Sequence, residues 1–297
     1  MAQPRLALIA LLAAVVAVTP LAIDMYLPAM PRITEQLTTT PGLVQQSLSI
    51  FLAFYALGML LFGPLADMIG RRKLAIGGLS AFALVSLLLS LAPTIEWFLA
   101  GRAAQAFVGS AATVVIPGLI RALYQENTAK GMSYVSMMMM LAPLLAPAIG
   151  SLLLLWGQWP LIFVVLAAYA LVIGVLCMRF LPEVRIPRPA DSPAPAFFSS
   201  YRLVLSNRLA QPLIAISMFA SFSFFCFLTA VPFVYIENFG VDAQLFSLLF
   251  GFNVCALIIA NFSNSKLVTR FGSERLLHWA FLSGLLFASI LVAVSIF

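Results

Sequence analysis

Apolar residues run almost unbroken through nine stretches of the chain, at approximately 6–31, 43–66, 74–93, 97–120, 131–155, 160–181, 210–236, 243–264 and 275–297. A helix needs about 20 mostly apolar residues to cross the hydrocarbon core of a bilayer. Each stretch therefore predicts a membrane-spanning helix, and short polar breaks separate them. One break is longer. Positions 182–209 carry Pro182, Pro187, Pro189, Pro193 and Pro195 together with Arg185, Arg188, Arg202 and Arg208, the composition of an extended basic linker. The pattern predicts a six-helix bundle over 1–181, a cytoplasmic linker over 182–209 and a partial second bundle of three helices over 210–297. The first stretch also has the outline of a secretory signal, with Arg5 before the apolar run Leu6–Val18. Its length, the eight runs behind it and the lack of a small-residue cleavage pattern before Asp24 favour a retained span.

Composition strengthens this reading. The chain is 63% hydrophobic and 9% charged, whereas a soluble domain carries roughly 25% charged residues. A bilayer tolerates that much apolar surface because it replaces water around the helices. The net charge of +6 raises the question of a nucleic-acid partner, and its distribution answers it. With the N-terminus inside, fourteen of the sixteen Lys and Arg residues fall on the inner side: Arg5, the Arg71–Arg72–Lys73 cluster, Arg121, Lys130, Arg179, the four linker arginines, Lys266, Arg270 and Arg275. Arg32 alone is outside, and Arg102 lies within a span. Cytoplasmic loops of membrane proteins are enriched in Lys and Arg in this way, so topology explains the charge and no nucleic acid is implied. Cys177, Cys226 and Cys255 sit inside apolar runs and read as small hydrophobic residues.

A weak internal repeat fits two related bundles. Shifted by 202 positions, Leu65, Gly70, Lys73 and Leu74 fall on Leu267, Gly272, Arg275 and Leu276, and Pro28 falls near Pro232. If the second bundle repeats the first, three of its six spans are absent, and the chain reads as truncated after its ninth span.

Ionisable groups within spans cost several kcal/mol unless paired or hydrated, so they are functional candidates. Asp24 in span one lies eight residues inside Arg32, and Arg102 in span four lies six residues inside Glu96. At about 1.5 Å per residue the two stand at nearly the same depth, which predicts that they face a shared water-filled cavity. Arg102 has the reach to snorkel outward. However, Gly101, Ala103, Ala104, Gly109, Ser110, Ala111 and Ala112 around it are the small residues of a close helix contact. Asp24 could instead serve as a static hydrogen-bond partner in a kink made by Pro20 and Pro28. Its carboxyl takes up and releases protons where a guanidinium stays charged, which makes it the better proton carrier. Span five carries Pro143 and Pro147, four residues apart and followed by Gly150, which predicts a bent helix and a close neighbour. Its methionines 137–140 offer either an adaptable ligand surface or plain packing. Gln45, Ser49, Ala53 and Ala56 form a small polar stripe on span two. The candidate substrate contacts are Asp24, Tyr26, Met138 and Asn253. His278 is the only histidine and reads as interfacial. With no paired catalytic carboxylates, metal-ligand cluster or phosphate-cradling glycine loop, the sequence argues against an enzyme and implies no cofactor or metal.

Several motifs resemble the major facilitator superfamily. Gly63-Pro-Leu-Ala-Asp67-Met-Ile-Gly70-Arg71-Arg72-Lys73 resembles its signature loop between spans two and three, and Leu99-Ala-Gly101-Arg102-Ala-Ala-Gln105-Ala-Phe-Val-Gly109 its span-four motif. Ala146-Pro147-Ala-Ile-Gly150 resembles the span-five motif of proton-driven drug exporters. Asp24-Met-Tyr26-Leu-Pro28-Ala-Met-Pro31, with Pro232–Glu237 and Phe246–Gly251, resembles the Bcr/CflA group of drug:proton antiporters. The resemblance implies an all-α, twelve-span bundle in a bacterial inner membrane. It implies export of amphipathic small molecules, drugs or antibiotics, against protons by alternating access. Asp24 and Arg102 would couple the proton, and Gly63, Asp67, Gly70, Arg71 and Arg72 would form an inner gate. Ala146 and Ser151 stand where the span-five motif commonly has glycine, and Val16 where some relatives carry a second acid, which concentrates the proton duty on Asp24. The same fold also serves uptake permeases and metabolite exporters, and a truncated chain without transport is a third expectation.

Overall fold

The computed structural model describes residues 6–125, 128–183 and 204–296, except for a few side chains, those of Asp67 and Met138 among them. Most of the linker therefore lies outside the described residues. All regular structure among those described is helical.

Span one is three pieces rather than one rod: α1 (Leu6–Asp24), a 3₁₀ turn (Leu27–Ala29) and α2 (Met30–Gln36). Pro28 has no N–H to donate to the carbonyl of Asp24 four residues back, so the α-helical ladder stops there. Helix α3 (Pro41–Ile69) starts on Thr40, whose side chain accepts from the Leu43 N–H, and ends at Gly70. Gly70 adopts φ +100°, a conformation open to glycine at little cost, and the chain turns at once into α4 (Arg71–Ser90). The basic cluster is thus the first turn of a helix, where the apolar run alone suggested a start at 74.

Span four is α5 (Ile95–Val114) and α6 (Ile116–Tyr124), with Pro117 at the start of the second piece. Helix α7 (Thr128–Trp156) holds both Pro143 and Pro147 inside it, and α8 (Pro160–Phe180) follows. Beyond the linker come α9 (Ala210–Phe233), a π turn (Val234–Asn238), α10 (Ala243–Phe271) and α11 (Ser273–Ile296). Eight helical segments among the described residues, the last at Ala243–Asn264, are long and apolar enough to cross a membrane. The chain is a multi-pass membrane protein.

Two compact units divide the chain at residue 250. In the first, α3 packs along α5, α4 along α5 and α8, and α1 along α7 and α8. Small residues let these helices close in, since association in lipid depends on packing rather than on escape from water. A Cβ at Gly78 would meet the Ala112 amide nitrogen at 2.9 Å, and one at Gly58 would collide with Ser110. The second unit, Gly251–Phe297, is the remainder of α10 with α11, tied by a ring contact between Phe271 and Trp279 at 5.3 Å.

Candidate functional site

The break in span one creates the site. A helix end leaves its last four carbonyls without onward helical donors and carries a partial negative charge. Here the Leu21 carbonyl still accepts from the Met25 N–H at 3.1 Å, and the carbonyls of Ala22, Ile23 and Asp24 follow it, deep in the first unit. Arg102 fills the position. Its Nη1 donates to the Ala22 carbonyl at 3.0 Å and to Gln105 Oε1 at 2.6 Å. Gln105 Nε2 donates onward to Ser86 Oγ at 2.8 Å, and Ser86 Oγ to the Phe82 carbonyl at 2.7 Å. One chain of hydrogen bonds thus joins α1, α5 and α4.

The guanidinium is fully buried and lies over two rings, 4.4 Å from the centroid of Tyr26 and 4.3 Å from that of Phe51, with Phe163 at 5.9 Å. The Tyr26 hydroxyl shares a hydrogen bond with Ser47 Oγ of α3 at 3.1 Å. Phe98 meets both Phe163 and Trp159 edge-on at 5.6 Å, and these rings close off the same region.

Asp24 is 4% exposed, at the last residue of α1. Arg102 Nε and Nη2 have no hydrogen-bond partner, and Nη1 is engaged as above, so no hydrogen bond joins the two side chains. The structure therefore corrects one expectation. Both groups reach the bundle interior and the same helix end, but Arg102 faces rings and a carbonyl rather than a water-filled cavity. The break in span one leaves the Ala22 carbonyl facing span four, and it accepts from the cation directly. Snorkelling of Arg102 is excluded by its complete burial.

Span five closes on the same turn. A Cβ at Gly150 would collide with the carbonyl oxygen of Met25, next to Asp24. Pro147 and Ser151 carry contacts to the first turns of α10: the Pro147 carbonyl accepts from Ser247 Oγ at 2.9 Å and the Ser151 carbonyl from Gln244 Nε2 at 3.5 Å. Pro143 lies on the same helix, one turn nearer its N-terminus.

The loop motif is elsewhere, at the turn between α3 and α4. The Arg71 guanidinium lies where a side chain at Gly118 of α6 would be, and Arg72 donates to the Met178 carbonyl at the end of α8 at 2.5 Å. Both arginines thus engage their own unit. Gly63 is half-buried on α3, and the Asp67 side chain lies outside those described. Of the candidate substrate contacts, Tyr26 joins Asp24 at the break, Met138 lies outside the described side chains, and Asn253 is exposed in the second unit. His278 Nδ1 pairs with the Glu274 carbonyl at 2.8 Å. A cavity of about 850 Å³ opens between α3 and α9. Ser49, Leu52, Ser217, Ser221, Phe222 and Thr229 are on its walls, so the polar stripe of span two reaches a cavity at Ser49. The site residues missed from the sequence are Gln105, Ser86 and Phe51. Gln105 had a signal, since it stands three places after Arg102 on one helix face.

Residues 12–297 match the model of the Major Facilitator Superfamily. The chain is 34% identical over 279 residues to a bicyclomycin resistance protein homolog of Haemophilus influenzae, covering 90% of this chain and 68% of that one. It is 29% identical over 279 residues to a chloramphenicol resistance protein of Pseudomonas aeruginosa, covering 93% and 65%. Among solved structures, a bacterial homolog to the human lysosomal transporter Spinster, inward-facing and unoccupied, superposes with a TM-score of 0.73 at 17% identity. That match covers 91% of this chain and 65% of the other. The chain spans about two thirds of the length of these relatives.

Proposed function

This chain belongs to the Major Facilitator Superfamily, and on that premise we propose that it exports amphipathic small molecules in exchange for protons, by alternating access. The substrate class rests on relatives named for bicyclomycin and chloramphenicol resistance, in agreement with the motif resemblance to the Bcr/CflA group of drug:proton antiporters. The fold places no catalytic demand on the chain, and its family acts in transport. In this reading α11 is the ninth span, six spans precede the 182–209 linker and three follow it. The N-terminus is cytoplasmic in a bacterial inner membrane.

The observation that carries the proton role is the shared helix end. Asp24 closes α1, while Arg102 holds the Ala22 carbonyl two residues earlier without hydrogen-bonding the carboxyl. The acid can therefore gain or lose its proton while the cation keeps its seat. A proton arriving from outside neutralises Asp24, weakens its hold on substrate and favours outward release. Departure of the proton inward restores the charge. Asp67, Arg71 and Arg72 gate the inner end, and Pro143, Pro147 and Gly150 let span five close on the break. The apolar, hydroxyl-bearing cavity between α3 and α9 suits an uncharged amphipathic compound.

The test uses everted membrane vesicles holding a proton gradient, with chloramphenicol and bicyclomycin added as probes. Wild-type vesicles should lose part of the gradient on drug addition, Asp24→Asn vesicles should not, and Asp24→Glu should retain a partial response. An unchanged response in Asp24→Asn would falsify the role of Asp24, and no response in wild type removes proton-coupled export of these drugs.

A further inference from the structure

The rings around Arg102 have a role that the transport reading leaves unassigned. We propose that Phe51, together with Tyr26, is a positioning clamp that holds the Arg102 guanidinium against the end of α1. The inference rests on the reading of Arg102 as the coupling cation.

Three observations converge. The guanidinium lies 4.3 Å from the Phe51 centroid and 4.4 Å from that of Tyr26, well within the ~6 Å over which a cation is attracted to a ring face. Arg102, Tyr26 and Phe51 are all at most 1% exposed, so water competes for none of these faces. Two guanidinium nitrogens, Nε and Nη2, lack hydrogen-bond partners. Such nitrogens in a dry site demand compensation, and the ring faces are what stands against them.

Each ring is anchored. Tyr26 is tied through its hydroxyl to Ser47 on α3, and Phe51 stacks on Tyr55 at 6.3 Å and 9°. Tyr55 in turn shares a hydrogen bond with Thr113 of α5 at 2.8 Å. Span two therefore supplies one jaw and steadies the other. The physical consequence is separation of duties. The ring faces and the Ala22 carbonyl hold the cation, so Asp24 need not serve as its permanent counter-ion.

The clamp makes a prediction that ordinary core packing does not, because a ring is required rather than a volume. Phe51→Leu, with Phe51→Met as a second variant of different shape, removes the π face. Phe51→Tyr and Phe51→Trp keep it. Drug-driven proton movement in vesicles should fall about tenfold in Phe51→Leu and Phe51→Met, and stay within about threefold of wild type in Phe51→Tyr, in keeping with a desolvated cation–π contact. The second readout is the melting temperature of the detergent-purified protein across a double-mutant cycle with Arg102→Met. The Phe51→Leu loss should be at most half as large in the Arg102→Met background as in wild type. Equal losses in the two backgrounds, or equal transport defects in Phe51→Leu and Phe51→Tyr, overturn the clamp. The cycle is independent of transport. If wild type moves no protons and the cycle is still non-additive, the export reading fails and the clamp stands.

Discussion

Arg102 shows how a charge is kept in a dry bundle. Its partners are a backbone carbonyl, an amide side chain and ring faces, each neutral, and together they replace the hydration it gives up. Gln105 is the polar hinge of the arrangement because it accepts from Arg102 and donates to Ser86. Gln105→Leu keeps the volume and leaves both Arg102 Nη1 and Ser86 a partner short. The expected cost is about 1–3 kcal/mol, visible as a lower melting temperature, while Gln105→Glu should keep the acceptor and a larger share of stability. Equal stability of the leucine variant and wild type would show that the network contributes nothing. Part of this was legible in the sequence. The small residues from Gly101 to Ala112 already placed Arg102 inside the bundle, and Pro20 and Pro28 already marked span one as bent. What Arg102 would bind was not legible. A free carbonyl has no sequence signature, and Phe51 stands 51 residues before Arg102 in an apolar run where nothing sets its ring apart from its neighbours.

Helices meet here through glycines whose neighbours differ sharply. Gly78 on α4 faces α5, and a Cβ there would meet Ala112, Ala111 and Val108 atoms at 2.9 to 3.0 Å; the adjacent Gly77 meets nothing within 4 Å. Gly78→Ala should therefore push two helices apart and lower the melting temperature. Gly77→Ala should be neutral or stabilising by about 0.5–1 kcal/mol, since alanine is the better helix former. Matching effects of the two substitutions would refute this account of the contact. Turns carry a second, independent signal. Gly70 and Gly272, paired by the 202-residue shift, adopt φ values of +100° and +80°, and each leads directly into a helix. The weak repeat read from four matched positions is thus accompanied by a glycine of positive φ in both loops. A β-carbon in such a sparsely populated positive-φ region costs roughly 1–3 kcal/mol, so Gly70→Ala and Gly272→Ala should each lower stability by about that much in thermal unfolding. Element boundaries were less legible than element existence. The apolar runs marked the interior of most spans, while Gly70 and Pro28, which decide where two helices stop, act through backbone geometry that hydropathy does not register.

At the scale of the molecule, the surface is apolar where a soluble protein's would be polar. Leu84, Leu87 and Leu88 on α4, and Leu171, Val172 and Val175 on α8, are all exposed, and lipid is the solvent that such a surface suits. Lipid contact also fixes which ends reach water, and the Lys and Arg distribution then assigns the sides. Gln36 at the end of α2 and Gln158 between α7 and α8 are exposed at the ends assigned to the outside. Lys73 and Arg121 are exposed at the ends assigned to the inside. Single cysteines at these positions, in a chain whose own Cys177, Cys226 and Cys255 are replaced by serine or alanine, provide the test. In intact cells a membrane-impermeant maleimide should label the Gln36→Cys and Gln158→Cys variants. It should reach the Lys73→Cys and Arg121→Cys variants only after the membrane is opened. Orientation bears directly on mechanism, because Asp24 lies near the outer end of span one only if the N-terminus is inside. With the reverse labelling pattern Asp24 would stand near the cytoplasmic end. A proton coming down its gradient from outside would then have to cross most of the bundle to reach it, so entry at the outer mouth of span one would be refuted.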